Sequence, residues 1–189
     1  MISHLALIRD QLSACAADGY LIGTQDQFLL EYVPEKRQYL RLISNFTGSN
    51  GYLLITKDQE IFATDSRYLI QAAKQLAKSY QIYDLKTFSI PALIKRYLPK
   101  QGKLLIDYSN FTWAQIIAWQ TALKDHQSRF IPNQADWFSK LSMAQNQINS
   151  EPTEASPEPI IIETNLAGLS ASQKIKQIRR QLGQGPQQG

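Results

Sequence analysis

An α/β domain, with a mixed β-sheet flanked by helices, is the fold that three features of this 189-residue sequence predict. Apolar residues at helical spacing alternate with short β-prone runs through residues 1–144, the rhythm of helices laid on a sheet. Two β-prone runs, at 52–55 and 61–63, flank a polar turn at 56–60, so one strand pair is an antiparallel hairpin. The later strands are separated by whole helices, which makes their connections parallel crossovers.

Taken in order, residues 3–17 read as an amphipathic helix with Leu5, Ile8, Leu12 and Cys15 on one stripe, stopped by Asp18-Gly19. Tyr20-Leu21-Ile22-Gly23 is a short buried strand, and a loop carrying Asp26 follows at 24–30. Glu31-Tyr32-Val33-Pro34 leads into a short helical stretch at 36–43. The hairpin is entered through a tight turn at Asn45-Phe46-Thr47-Gly48-Ser49-Asn50-Gly51, where Gly48 and Gly51 can take positive φ and Thr47, Ser49 and Asn50 can bond nearby backbone. It is left through Thr64-Asp65-Ser66-Arg67-Tyr68, where Asp65 or Ser66 caps a helix with Leu69, Ala73 and Leu76 as its apolar positions. Arg67 in that first turn opposes the helix dipole, so an anionic partner is expected, in the protein or in a ligand.

Residues 80–85 form a strand with Tyr80, Ile82 and Asp84 on one face. Ser89 and Pro91 start a helix with Leu93, Ile94, Tyr97 and Leu98 as its apolar face, ended by Pro99 and Gly102. Residues 103–107 are a buried strand ending in Asp107. Thr112-x-x-Gln115 is a capping box opening a helix with Trp113, Ile116, Ile117, Gln120 and Leu123. Phe130-Ile131-Pro132 is a last strand, and Asp136 caps a helix carrying Trp137, Phe138 and Leu141. Residues 145–159, polar and holding three prolines, read as a linker. Ile160-Ile161-Ile162 is then a lone β-prone run, and Ser170-x-x-Gln173 a second capping box before a helix with Ile175, Ile178 and Leu182. The tail from Gly183 is low in complexity and expected to be disordered. The expected organisation is a domain at 1–144, a linker at 145–159, and the truncated start of a second domain at 160–189.

Composition narrows the function. A net charge of +4 is spread over clusters at Lys36, Arg37 and Arg41, at Lys95, Arg96, Lys100 and Lys103, and at Lys174, Lys176, Arg179 and Arg180. They read as solvated helix faces, without the aromatic partners of a nucleic-acid surface. The single cysteine, Cys15, forms no internal disulfide and suits a reducing compartment. No apolar run nears the roughly 20 residues of a membrane helix, and the first residues lack a signal-peptide pattern. A cytoplasmic location is expected.

No metal-ligand or nucleophile motif stands out. The two histidines, His4 and His126, are far apart and read as surface or capping residues; Asp58 and Glu60 read as solvated turn acids. The glycine-bearing turn precedes a strand, so no helix N-terminus backs a phosphate there. An independent hydrolase would need carboxylates converging at strand ends, and the sequence offers only Asp107, Asp65 and Asp84.

Four words occur in order: Glu31-Tyr32-Val33-Pro34, Phe46-Thr47-Gly48-Ser49-x-Gly51, Thr64-Asp65-x-Arg67-Tyr68 and Gln71-Ala72-Ala73-Lys74-Gln75-Leu76. Together they resemble the N-terminal domain of Xaa-Pro aminopeptidases (aminopeptidase P), in the creatinase/prolidase superfamily. The resemblance implies an RNase H-like N-terminal architecture, and residues 166–175 look like the start of the second domain of the three-domain form. It implies a parent that removes an N-terminal residue preceding proline, using two divalent metal ions, usually manganese, held in a C-terminal catalytic domain absent from this sequence. No catalytic or metal residue is therefore carried over. Arg67 is: the family's arginine at this motif position reaches towards the cleft and contacts the peptide substrate. An ion pair with Asp65 or Asp107 is the competing role, and Tyr68 is expected to pack. The family usually has glycine where this chain has Asn45 and Ser66. The implied partners are the missing C-terminal domains and a proline-containing peptide, with a homodimer possible. The rival reading is a stand-alone protein-binding module kept from a pseudo-enzyme.

Overall fold

The computed structural model describes residues 4–133 and 160–183. The chain forms two compact units, Met1–Ser150 and Glu151–Gly189.

In the first unit, six strands make one sheet: β1 (Gly19–Gly23), β2 (Gly51–Thr56), β3 (Glu60–Thr64), β4 (Tyr80–Asp84), β5 (Lys103–Ile106) and β6 (Arg129–Pro132). Their spatial order is β4-β3-β2-β1-β5-β6. β2 pairs antiparallel with β1 and β3, while β3–β4, β1–β5 and β5–β6 are parallel. The expected mixed sheet is present, with β2 and β1 at its centre and the hairpin partner β3 inside the β4 edge.

Side chains alternate across the sheet with period 2. Tyr20, Ile22, Leu53, Ile55 and Phe62 point to one face and pack with Ile8 and Leu12 of α1 (His4–Ala14), Leu40 and Ile43 of α2 (Tyr39–Ser44) and Ala72 of α3 (Leu69–Gln75). Leu21, Leu54, Ile61 and Ala63 point to the other, against Leu93 and Ile94 of α4 (Ile90–Tyr97) and Ile116 of α5 (Trp113–Ala122). Covered on both faces, the three inner hairpin-side strands are nearly continuous apolar runs.

Several local expectations are corrected. Gly48 and Gly51 do not take positive φ; Asn45, at φ 62°, makes the left-handed turn that ends α2. The glycines are required for space instead, because a Cβ on Gly48 would lie 2.3 Å from Phe46 Cζ and one on Gly51 2.8 Å from Phe62 Cζ. The buried residue of α3 is Ala72, not Ala73, because a 3₁₀ turn at Ser66–Tyr68 precedes the helix and shifts its phase. On α5 the capping box of Thr112 and Gln115 forms as expected, but Trp113 and Ile117 face solvent, while Ile116 and Leu123 are buried and Trp119 packs beside them. Glu60 is no solvated turn acid. It is 6% exposed, begins β3 and pairs with Arg9 of α1. His126 is buried, with Nδ1 bonded to Ser128 Oγ at 2.6 Å.

The second unit contains α6 (Thr164–Ala167) and α7 (Ala171–Gly183). Its capping box is formed: Ser170 N donates to Gln173 Oε1 at 2.9 Å and Gln173 N to Ser170 Oγ at 3.3 Å. The β-prone run Ile160, Ile161 and Ile162 is exposed coil. Ile175, Ile178 and Leu182 lie exposed along α7. The helix expected from Asp136, the linker at 145–159 and the tail beyond Gly183 lie outside the described residues.

Candidate functional site at the hairpin exit

The two sequence words around the hairpin meet because of register. Gly51, the first residue of β2, is the ladder partner of Thr64, the last of β3. The turn before one strand and the turn after the other therefore share one end of the sheet. Thr64 Oγ1 donates to Asn50 O at 2.5 Å, and Asn50 Nδ2 donates to Asp65 Oδ2 at 2.9 Å. Ser49 Oγ and Tyr68 OH are 2.8 Å apart and bonded. Gln71 and Gln75 of α3 each donate to Thr47 Oγ1 at 2.8 Å.

Asp65 is the cap of the 3₁₀ turn, not Ser66: its Oδ1 accepts from Arg67 N at 3.0 Å. The same carboxylate holds the Arg67 side chain in a fork, Nε to Oδ1 and Nη2 to Oδ2, both at 2.9 Å. These bonds, with that from Asn50, hold the Asp65 carboxyl well below the usual carboxylate range, the Arg67 side chain being the largest cause. Ser66 Oγ donates instead to Asp84 Oδ2 at 3.2 Å. Of the two acids weighed as partners of Arg67, the structure selects Asp65; Asp107 caps the 3₁₀ turn at Tyr108–Asn110.

Arg67 is nonetheless open to solvent, with 75% of its side chain exposed against 24% for Asp65. Its guanidinium lies over the Tyr68 ring, 5.4 Å from the centroid, and Tyr68 packs edge-on against Phe46. A guanidinium carries five N–H donors in a rigid fork. Asp65 takes the Nε/Nη2 edge, leaving the Nη1/Nη2 edge directed away from that carboxylate. That edge matches a carboxylate or carbonyl group in a planar, bidentate manner. Asn50 was not anticipated as part of this arrangement; its place in the loop word was visible, but only the ladder register brings it to Asp65.

Among the described residues, no three of His, Cys, Asp and Glu converge as metal ligands. These residues do not fit a divalent ion, and no chemistry through one is assigned to them.

The Creatinase/Prolidase N-terminal domain model matches residues 5–136. The chain belongs to this family. Over 172 residues it is 30% identical to aminopeptidase P2 of Arabidopsis thaliana, covering 87% of this chain and 23% of that protein. Over 183 residues it is 25% identical to a probable Xaa-Pro aminopeptidase P of Coprinopsis cinerea, covering 95% of this chain and 28% of that one. The chain thus spans about a quarter of the length of these curated relatives. Among solved structures, the X-prolyl aminopeptidase of Caenorhabditis elegans, a cytosolic enzyme with a di-nuclear active site, superposes with TM-score 0.71 over 89% of this chain and 27% of its own. At 21% identity that likeness concerns the fold. The N-terminal domain of the cytoplasmic peptidase PepQ from Mycobacterium tuberculosis gives TM-score 0.56 at 25% identity, over 71% of this chain and 95% of that domain. No described helix is long and apolar enough to cross a membrane.

Proposed function

We propose that this chain acts as the non-catalytic N-terminal domain of a cytoplasmic Xaa-Pro aminopeptidase, helping to close the cleft and to hold the peptide. The observation that carries this reading is the free edge of Arg67. A permanent cation is fixed by Asp65, stacked over Tyr68 and left mostly exposed. The family membership and the aminopeptidase relatives supply the setting.

In this reading Arg67 binds and orients, and does no bond-making chemistry. Its Nη1/Nη2 edge donates to a carbonyl or carboxylate oxygen of the peptide. Asp65 fixes the plane of the guanidinium in advance, so less side-chain entropy is lost on binding. The two divalent ions of the parent, manganese in our reading, belong to a catalytic domain outside this chain and would supply the activated water there. Residues 160–189 are the start of a second, similar domain.

The test is hydrolysis of an Xaa-Pro peptide with added manganese, by the 189-residue chain and by any longer protein that contains it. Turnover by the longer protein alone is expected. Turnover by this chain alone, free of contaminants, overturns the reading. Turnover by neither supports the rival, a protein-binding module.

A further inference from the structure

Beside the hairpin entry lies an open cleft of about 590 Å³ in the first unit, which the role of Arg67 leaves unexplained. One wall is Leu29, Leu30 and Tyr32 of the β1–α2 loop; the other is Phe46 and the 47–49 turn. Its size falls within the roughly 300–1,000 Å³ of small-ligand sites.

The loop wall is an unusual use of sequence. Phe28, Leu29, Leu30 and Tyr32 are 58%, 39%, 42% and 86% exposed, and a cluster of exposed apolar side chains marks an interaction site more often than a scattered one does. The loop is also held in a costly shape. Leu29 takes φ 53°, a left-handed conformation that non-glycine residues rarely adopt. A fully buried carboxylate keeps it there. Asp26 Oδ1 accepts from Phe28 N and Leu30 N at 3.1 Å, and its Oδ2 accepts from Arg37 Nη1 at 2.8 Å. Arg37 in turn lies 4.7 Å from the centroid of the Phe28 ring. A buried charge and a strained backbone thus hold apolar side chains towards water, where folding gains nothing from them.

One wall of the cleft is joined to Arg67 through Tyr68. Ser49, on its far wall, is bonded to Tyr68 OH, and the Arg67 guanidinium covers the Tyr68 ring. A ligand that places an oxygen on the free edge of Arg67 and an apolar group in the cleft satisfies both features at once. We propose that the cleft is a subsite for a bulky apolar side chain of the peptide that Arg67 holds. The site then prefers peptides with leucine-like residues near the oxygen bound by Arg67. This inference rests on Arg67 as a peptide-binding residue; the cleft adds selectivity.

Nuclear magnetic resonance of the 189-residue chain separates the two ideas. The probes are the tetrapeptides Ala-Pro-Leu-Leu and Ala-Pro-Ser-Ser. Both are expected to move the Arg67 Nε–H signal, and only the leucine peptide to move the amides of Leu29, Leu30 and Gly48. The leucine peptide is expected to bind about tenfold more tightly, from burial of one apolar side chain. A Leu29→Asn, Leu30→Ser variant should bind the two peptides equally, and Tyr32→Ser, at a mostly exposed position, should reduce the preference without touching the loop anchor. Equal affinities in the unaltered chain, with Arg67 responding and the cleft silent, overturn the subsite and leave Arg67 standing. Cleft shifts with Arg67 silent overturn the role of Arg67 and the joint site with it. Silence at both overturns both.

Discussion

Two arginine–aspartate pairs in the first unit use the same chemistry to opposite ends. At Asp26–Arg37 the carboxylate side chain is 1% exposed and the guanidinium 27%; at Asp65–Arg67 the values are 24% and 75%. Both acids also accept backbone N–H bonds two residues on, from Phe28 and from Arg67. In the first pair the anion is the buried element, and it shapes the loop around itself. In the second the cation is the exposed element, held in a fork by an acid that also caps the 3₁₀ turn and accepts from Asn50. Burial of the acid, not the identity of the pair, separates a structural ion pair from a presented one: a buried charge deprived of its partner is costly, while an exposed pair contributes little to stability.

The largest effect that would separate them is on stability. Asp26→Ala removes the anchor of the loop and leaves two backbone N–H groups and Arg37 without their acceptor. We expect a loss of about 3 kcal/mol, read by denaturant unfolding, whereas Asp65→Ala should shift the midpoint far less. Gly48→Ala comes next. Its Cβ would meet Phe46 and Tyr68 side chains at 2.3–2.9 Å, and overpacking of this kind costs about 1–3 kcal/mol. The damage should fall on the wall that supports Arg67.

Acid sharpens the contrast. Burial pushes the Asp26 carboxyl up, but the Leu30 and Phe28 amides and Arg37 together outweigh it, and the net shift is downward. Asp65 is lowered chiefly by its bonds from the Arg67 side chain. A carboxyl whose folded pKa is depressed adds stability above its unfolded value near 4, and that stability is lost as pH falls through the folded value. Stability should therefore hold from neutral pH to about 4 and decline below it. The decline should flatten in both Asp26→Ala and Asp65→Ala, since each removes a carboxyl whose folded value is depressed, with the Asp65 contribution reduced by solvent around the exposed Arg67.

How much of this contrast was legible in the sequence differs between the two pairs. Asp65 and Arg67 are two residues apart, and the cap pattern put them in one turn, so a partner for Arg67 could be sought nearby. Asp26 was visible only as a loop residue, because its partner Arg37 arrives through a chain reversal that no local pattern encodes. The sheet and its hairpin followed from short β-prone runs bounded by polar turns. Pairings across the sheet did not: Arg9 with Glu60 joins α1 to β3, so a turn-like acid proved to be a buried one. Helix faces read from apolar residues failed where a preceding 3₁₀ turn changed the phase, as at Ala72, and where apolar residues stay in water, as at Trp113.

A smaller effect concerns orientation alone. Asn50→Ala removes one bond to Asp65 Oδ2 while sparing the fork to Arg67. The melting temperature should hardly change, but the Arg67 Nε–H signal should broaden as the guanidinium loses its fixed plane, and peptide affinity should fall about two- to fivefold. Asn50→Asp would crowd a second carboxylate against Asp65 and should not restore it.

The central claim, that Arg67 is presented for a ligand and is not there to hold the fold, is tested most directly by Arg67→Ala. Melting temperature and peptide affinity should be measured on the same preparation of the 189-residue chain, with Asp26→Ala beside it. The account predicts an unchanged melting temperature for Arg67→Ala and a loss of affinity of about tenfold or more. A clear drop in melting temperature with peptide affinity intact would contradict it and make Asp65–Arg67 a structural pair like Asp26–Arg37.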